Sequence, residues 1–115
     1  MTSYKRSDRV GDLVRKEIAT MLLYEIKDPR VGFVTITSVS MSVDLRQAKI
    51  YFSMHGSDED RKAAIEGLQS ASSYIKRMLG KRVRLKYIPE ILFKFDDSLD
   101  YGNRIERLIE ETRQK

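Results

Sequence analysis

The sequence predicts an α+β domain in which helices cover one face of a three-stranded sheet and leave the other face wet. Apolar residues recur at helical spacing in two long stretches, residues 7–27 and 57–80. Other stretches alternate apolar and polar residues, as a sheet with one buried face requires. A chain of 115 residues is long enough for one core and too short for two. We therefore expect a single domain over residues 1–115, with frayed last residues.

The first helix is predicted over residues 7–27. Its apolar residues follow a helical period, and Ser7 or Asp8 is the expected N-cap. The helix should stop at Asp28-Pro29-Arg30, because proline disfavours helical geometry in the residue before it.

Two strands should follow as an antiparallel hairpin. Residues 33–43 are rich in valine, isoleucine and threonine, but their alternation changes phase. A bulge near Thr37-Ser38 would reconcile the two phases, since one extra residue reverses the facing. After a turn at Asp44–Gln47, residues 48–54 alternate cleanly, which predicts the second strand.

The second long helix is predicted from Ser57, a suitable cap, to Gly80 in the C-cap position. The small residues Ser70-Ala71-Ser72-Ser73 at its centre predict a kink, since serine hydroxyls compete for backbone hydrogen bonds. Alternation from Arg82 to Phe95 predicts the third strand, with a bend or a sheet edge at Pro89. A turn at residues 96–98 and a final helix to about Thr112 complete the order helix, strand, strand, kinked helix, strand, helix.

Positive charge is concentrated in one block of the chain. Residues 76–95 carry seven lysines and arginines against the single acid Glu90, a net +6, whereas the whole chain has a net charge of +5. No acid interrupts the run from Lys76 to Lys86. Such a block is typical of proteins that bind a polyanion, and nucleic acid is the commonest one.

Little in the sequence favours an enzyme. The single histidine, His55, follows a predicted strand beside a glycine, and the chain has no phosphate loop, nucleophile motif or metal-ligand spacing. The adjacent acids Asp96 and Asp97 are better explained as turn and helix-start residues. The chain lacks cysteine, a signal-peptide pattern and any apolar run of bilayer-spanning length. We expect a cytoplasmic, non-catalytic protein with no metal, no cofactor and no membrane association.

The kink and the basic block lie next to each other. On a helical wheel Ser73 and Arg77 face away from the apolar side, with Lys76 and Lys81 on its flanks. A helix that restarts after a kink also frees backbone N–H groups, which favour anions. This arrangement and the order of elements resemble a type II KH domain, in which two helices joined by a tight turn clamp a nucleic-acid backbone. The predicted RNA-binding residues are Arg9, Ser72, Ser73, Lys76, Arg77, Lys81, Arg82, Arg84 and Lys86.

Several short segments narrow the resemblance through their order and spacing. They are Arg9-Val10, Lys27-Asp28-Pro29-Arg30, Val34-Thr35-Ile36-Thr37, Asp44-Leu45-Arg46, Ala48-Lys49-Ile50-Tyr51, Leu79-Gly80-Lys81, Val83-Arg84-Leu85, Ile88-Pro89-Glu90, Phe93 and Asp97-Ser98-Leu99. In these segments, and along nearly its whole length, the chain resembles the bacterial ribosome-binding factor A family.

That resemblance implies a KH-like domain that binds the small (30S) ribosomal subunit, through 16S rRNA and its precursor. It further implies help in late maturation, including processing of the 16S rRNA 5′ end, and importance during growth in the cold. We expect a monomer, and interplay with a ribosome-assembly GTPase is left open. From charge alone, a module that docks its basic face on an acidic protein partner remains the alternative.

The family has an Ala-x-Gly interhelical kink where other KH domains have a glycine-rich turn. The corresponding residues here are Ala71-Ser72-Ser73, with serine in place of the glycine. Serine tolerates left-handed backbone geometry poorly, at a cost of about 1 kcal/mol against glycine. We therefore expect either a gentler kink or a helix that runs through.

Overall fold

The computed structural model describes residues 4–98, and its first element is a helix with an irregular end. Helix α1 spans Arg6–Thr20 and continues into a π-helical turn at Met21–Glu25. The cap prediction was wrong. Lys5 is the N-cap, and Asp8 lies inside the first turn, where its carboxylate accepts the Lys5 N–H at 2.9 Å.

The helical segment ends at Glu25, two residues before the predicted end at residue 27, and the chain then turns at Asp28-Pro29-Arg30. Pro29–Val31 forms one 3-10 turn, and the Asp28 carboxylate caps it by accepting the Arg30 N–H at 2.9 Å. Asp28 also pairs with the Arg30 guanidinium at 2.8 Å. The turn directs Val31 into the core, where it is 2% exposed.

The predicted hairpin is confirmed. Strands β1 (Thr35–Met41) and β2 (Gln47–Ser53) pair antiparallel, and the register shifts between Ile36 and Ser38. Thr37 is therefore the extra residue of the predicted bulge. Beyond it Val39 and Met41 face the helices, which explains the change of phase.

The predicted long helix is divided into two at Ala71. Helix α2 spans Asp58–Ser70 and helix α3 spans Ser72–Arg82. Ser57 caps α2 as predicted, because its hydroxyl accepts the Asp60 N–H at 3.1 Å. Gly80 is not the C-cap, since α3 runs two residues further to Arg82 and is capped by Val83, whose N–H donates to the Leu79 carbonyl at 2.9 Å.

The third strand is shorter than predicted. Strand β3 spans Glu90–Phe95, and residues 83–89 form an irregular segment rather than the strand that alternation from Arg82 predicts. It pairs with β2 in parallel, from Gln47 opposite Glu90 to Phe52 opposite Phe95, so the sheet order is β1-β2-β3. Because β2 starts at Gln47, residues before 90 have no strand to pair with.

Helices pack on one face of this mixed sheet, as predicted. Ala48, Ile50 and Phe52 of β2 are at most 1% exposed, whereas Gln47 and Lys49 on the other face are exposed. The helices contribute the remaining apolar residues of the core, mainly Val14, Ile18, Ala64, Leu68, Ile75 and Leu79. The predicted final helix lies outside the described residues. None of the helices within residues 4–98 has the length and apolar character that a membrane crossing requires.

Candidate nucleic-acid interface

A groove runs between α3 and the irregular segment that follows it. Its volume is about 660 Å³. We call it the α3 groove and define it by its lining residues, which are Ser73, Lys76, Arg77, Gly80, Lys81, Leu85, Lys86, Ile88 and Glu90. Helical spacing places the α3 members on one side of the helix, opposite the buried Ile75 and Leu79.

Four of the predicted RNA-binding cations line the α3 groove, and one acid opposes them. The Lys76 ammonium pairs with the Glu90 carboxylate at 2.8 Å. The Arg77 guanidinium lies 5.6 Å from the Tyr74 ring centre, and the Lys86 ammonium lies 5.5 Å from that of Tyr87. Lys81 is exposed and forms no ion pair with any residue between 4 and 98. The groove is therefore strongly cationic, with apolar Leu85 and Ile88 in its wall.

The kink at the mouth of the groove uses ordinary backbone geometry. Ala71 has φ −84° and ψ −5°, which closes α2 by a hydrogen bond from its N–H to the Gly67 carbonyl at 3.0 Å. Ser72 and Ser73 then begin α3 as helical residues, Ser72 half-buried and Ser73 exposed. Among residues 4–98, Leu45 is the only non-glycine residue with positive φ. Serine is thus compatible with this kink, which needs no left-handed residue.

Three other predicted residues lie in a different groove. Arg9 and Arg84 line a cavity of about 500 Å³ between the start of α1 and the end of α3, together with Arg6. Arg82 also borders this second groove, and its side chain is about one third exposed. The structure therefore divides the basic block of the sequence between two sides of α3.

Arg82 is occupied by carboxylates of the same chain. Its guanidinium donates to both oxygens of Glu25, at 2.8 Å for the Nη1–Oε2 pair, and lies 3.6 Å from Glu17. The Tyr74 hydroxyl donates to the same Glu25 carboxylate at 2.5 Å. Hydrogen bonds from Arg82 and then Tyr74 lower the pKa of Glu25 to about 2. The pKa of Arg82 is raised by the same bond, so this pair stays charged at neutral pH.

The position of each residue around the helix could have predicted that the basic residues lie on two sides of α3. Arg82 follows Arg77 by five residues, which turns it about 140° around the helix toward the buried side. Its partner Glu25 could not be found in the same way, because the two are distant in sequence. Arg46 was not among the predicted residues, yet its guanidinium lies 4.3 Å from the centre of the Tyr87 ring, between the groove residues Lys86 and Ile88 in sequence.

Between residues 4 and 98, no three histidine, aspartate or glutamate side chains group as metal ligands would. His55 is exposed and lines a shallow cavity of about 460 Å³ with Asp60, Phe33 and neighbouring residues. What the geometry assembles is a cationic groove beside a helix kink.

Comparison with known families confirms the resemblance. The family model described as ribosome-binding factor A matches residues 6–109. The chain belongs to the ribosome-binding factor A family. A family member from Citrifermentans bemidjiense is 51% identical over 107 residues, which are 93% of this chain and 90% of that protein. One from Syntrophus aciditrophicus is 49% identical over 115 residues, 100% of this chain and 94% of that protein.

Solved structures of the family share the fold. The solution structure of a Thermotoga maritima protein, proposed to be a ribosome-binding factor A, has TM-score 0.71 and 32% identity. The match covers 82% of this chain and 90% of that one. The crystal structure of ribosome-binding factor A from Thermus thermophilus has TM-score 0.69 at 21% identity, covering 78% and 96%. The predicted KH-like α+β fold is thereby confirmed.

Proposed function

We propose that this chain binds the small ribosomal subunit through its rRNA and assists late maturation of the subunit without catalysing a reaction. Family membership supports the proposal, and a model of the Thermus thermophilus factor has been fitted into a map of a 30S complex. That model resembles this chain with TM-score 0.56 at 24% identity, a likeness of fold. The observation that carries the proposal here is the α3 groove, with four cations against one acid.

The proposed contact is with phosphates. Arg77, Lys81 and Lys86 present charged groups along one side of α3 and the segment facing it. Phosphate contacts supply affinity and register, whereas recognition of shape supplies selectivity. Lys76 adds positive charge to the groove, although its ammonium is also paired with Glu90. Ser73 is small and exposed, so an RNA backbone can approach the helix beside the kink. Ser72, half-buried, and Arg82, paired with Glu25, contribute less directly.

Co-sedimentation with ribosomal particles tests this proposal. The wild-type chain should sediment with immature small subunits and not with mature 70S particles. Replacing Arg77, Lys81 and Lys86 together with glutamine gives the α3-groove variant. This variant should bind small subunits more weakly while its Tm stays nearly unchanged. A variant with Lys16, Lys27 and Lys62 replaced by glutamine loses the same charge at exposed sites outside the α3 groove. Equal binding of small subunits by the two variants would contradict a role of the α3 groove in binding.

Salt dependence separates RNA from an acidic protein as the partner. For single-stranded RNA the slope of log affinity against log salt is about −0.7 per phosphate neutralised, so losing three contacts should lower its magnitude by about 2. The measurement uses purified 16S rRNA, which removes ribosomal proteins from the assay. Failure of the chain to bind that RNA, with subunit binding intact, would favour the protein-docking alternative.

The second groove and the cellular role have their own tests. Arg9→Gln with Arg84→Gln, assayed beside the α3-groove variant, shows whether Arg9 and Arg84 contact the subunit as well. Cells that carry the α3-groove variant in place of the native factor should accumulate 16S rRNA with an unprocessed 5′ end and should grow poorly in the cold. Interplay with a ribosome-assembly GTPase and a cytoplasmic location stay predictions.

A further inference from the structure

The sheet face opposite the helices presents a tyrosine with one lysine beside it on β3 and another two residues away on β2. Alternation and register place Tyr51 of β2 there, with Ser38 of β1 on one side and Lys94 of β3 on the other. One step along the strand, Lys49 lies between Ser40 and Leu92. We call these six residues the open sheet face. No helix within residues 4–98 covers it, since the helical core residues pack against the opposite face.

The side chains of the open sheet face have no polar partner within residues 4–98. Lys49, Lys94, Ser38 and Ser40 are exposed, Leu92 is 51% exposed, and Tyr51 is half-buried. Among residues 4–98, Tyr51 has no hydrogen bond and no ring contact, and neither lysine has an ion pair. The serines on β1 are too small to cover the ring from that side.

The centre of this face is positively charged. The two central rows carry Lys49 and Lys94 and no acid. The neighbouring rows hold one acid each: the carboxylate of Glu90 pairs with Lys76 at 2.8 Å, and that of Asp96, just past the end of β3, accepts the Thr37 hydroxyl at 2.8 Å. Glu90 also lines the α3 groove, so the row next to the open sheet face borders that groove.

We propose that the open sheet face binds an unpaired RNA nucleotide, with its base stacked on Tyr51 and its phosphates against Lys49 and Lys94. The inference rests on the proposed function for the identity of the RNA. Every base has a π-face, so an aromatic side chain on a sheet accepts bases with little sequence preference. A basic surface around the ring supplies the matching charge for the nucleotide backbone. A base in a duplex is stacked on its neighbours, so the site selects single strands.

Fluorescence anisotropy with a short fluorescein-labelled oligouridylate tests the stacking. Base–aromatic stacking contributes about 1–3 kcal/mol per base, so Tyr51→Thr should lower affinity by about 5- to 150-fold. Tyr51→Phe keeps the ring and should bind within about twofold of wild type. Threonine retains strand propensity, and unchanged circular dichroism would show that the sheet persists. Wild-type affinity in Tyr51→Thr would overturn the proposal, as would equal binding of a duplex of the same length.

Photocrosslinking adds a readout that needs no variant. An oligouridylate carrying 4-thiouridine, irradiated with the wild-type chain, should label the tryptic peptide of residues 50–61, in which Tyr51 is the only tyrosine. Labelling confined to peptides of α3 would place RNA in the groove alone and overturn the sheet-face site. Inclusion of unlabelled duplex RNA as competitor should leave the label on peptide 50–61 in place.

Subunit binding distinguishes this proposal from the proposed function. In one outcome the α3-groove variant no longer binds small subunits, whereas Tyr51→Thr binds both small subunits and oligouridylate as wild type does. The sheet-face site then fails and the proposed function stands. If the wild-type chain binds oligouridylate through Tyr51 but no small subunit, the proposed function fails and the site remains. Loss of subunits by Tyr51→Thr without any oligouridylate binding by wild type would mean a protein contact and overturn the inference.

Discussion

Arg82 and Glu25, 57 positions apart in the chain, form an ion pair in which the guanidinium donates to both carboxylate oxygens. The pair joins the last turn of α3 to the π-helical turn after α1. Because Tyr74 donates to the same carboxylate, Glu25 connects two positions on α3. This contact holds the end of α3 in place, and the segment that forms the other wall of the α3 groove begins there.

Arg82→Gln should lower Tm, since it removes the charged partner of Glu25 and leaves that carboxylate with Tyr74 alone. Arg84→Gln is the matched control, because Arg84 is exposed and has no ion pair among residues 4–98. Thermal unfolding at pH 7, followed by circular dichroism, should show a lower Tm for Arg82→Gln than for Arg84→Gln. Equal values would mean that the ion pair is fully offset by solvation.

The Glu25 contact should also depend on pH. Its pKa is about 2 in the folded chain, below the usual value of 4.5, so folding favours the ionised form. The stabilisation is complete above about pH 4.5 and is lost as pH falls toward 2. The Tm difference between wild type and Glu25→Gln should therefore be largest near neutral pH and shrink in that acid range. A difference that stays constant from pH 7 to pH 2.5 would exclude this linkage.

Ser73→Gly should reduce stability and leave RNA binding unchanged. Ser73 is helical and the kink at Ala71 needs no left-handed residue, so glycine adds only chain entropy to the unfolded state. The expected loss is up to about 1 kcal/mol in the free energy of unfolding. Ser73→Ala, the matched control, should keep or raise stability. Tighter subunit binding by the glycine variant would show that the bound chain adopts a different kink.

Gly67→Ala should destabilise the fold through a clash. A Cβ at Gly67 would lie 2.8 Å from the Val31 side chain and 3.2 Å from the Cβ of Arg30, so α2 would have to move away from the 3-10 turn. We expect a net loss of about 1–3 kcal/mol by urea unfolding, despite the better helix propensity of alanine. At Gly32, with φ −61°, the nearest atom would be at 3.5 Å. Gly32→Ala should therefore be neutral or stabilising by about 0.4–1 kcal/mol.

Local chemistry explains why parts of this fold were predictable. The Ser57 cap and the bulge at Thr37 depend on a few adjacent residues, and both are present. The kink near Ala71 was also predicted, because three serines surround it. Ser72 and Ser73 have ordinary helical geometry instead of the strained geometry that was expected. That expectation came from the family's glycine at this position rather than from this chain's own residues.

The errors arose where distant elements determine structure. Alternation from Arg82 indicates a strand, but a strand needs a partner, and β2 begins only at Gln47, opposite Glu90. Gly80 suggested a helix end, yet α3 continues past it. A Cβ there would lie 3.2 Å from the Ile88 side chain, so glycine permits close packing of the groove wall. The placement of Arg82 likewise depends on Glu25, which no local pattern reveals.

The parallel pairing of β3 with β2 has a consequence for biosynthesis. The hairpin of β1 and β2 can form early, but the third strand reaches its place only after the whole α2–α3 crossover has been translated. Glu90 closes the α3 groove and Lys94 completes the open sheet face. A nascent chain released from the exit tunnel only as far as α3 would lack Lys86, Glu90 and Lys94, so neither the α3 groove nor the open sheet face is complete until translation is nearly finished.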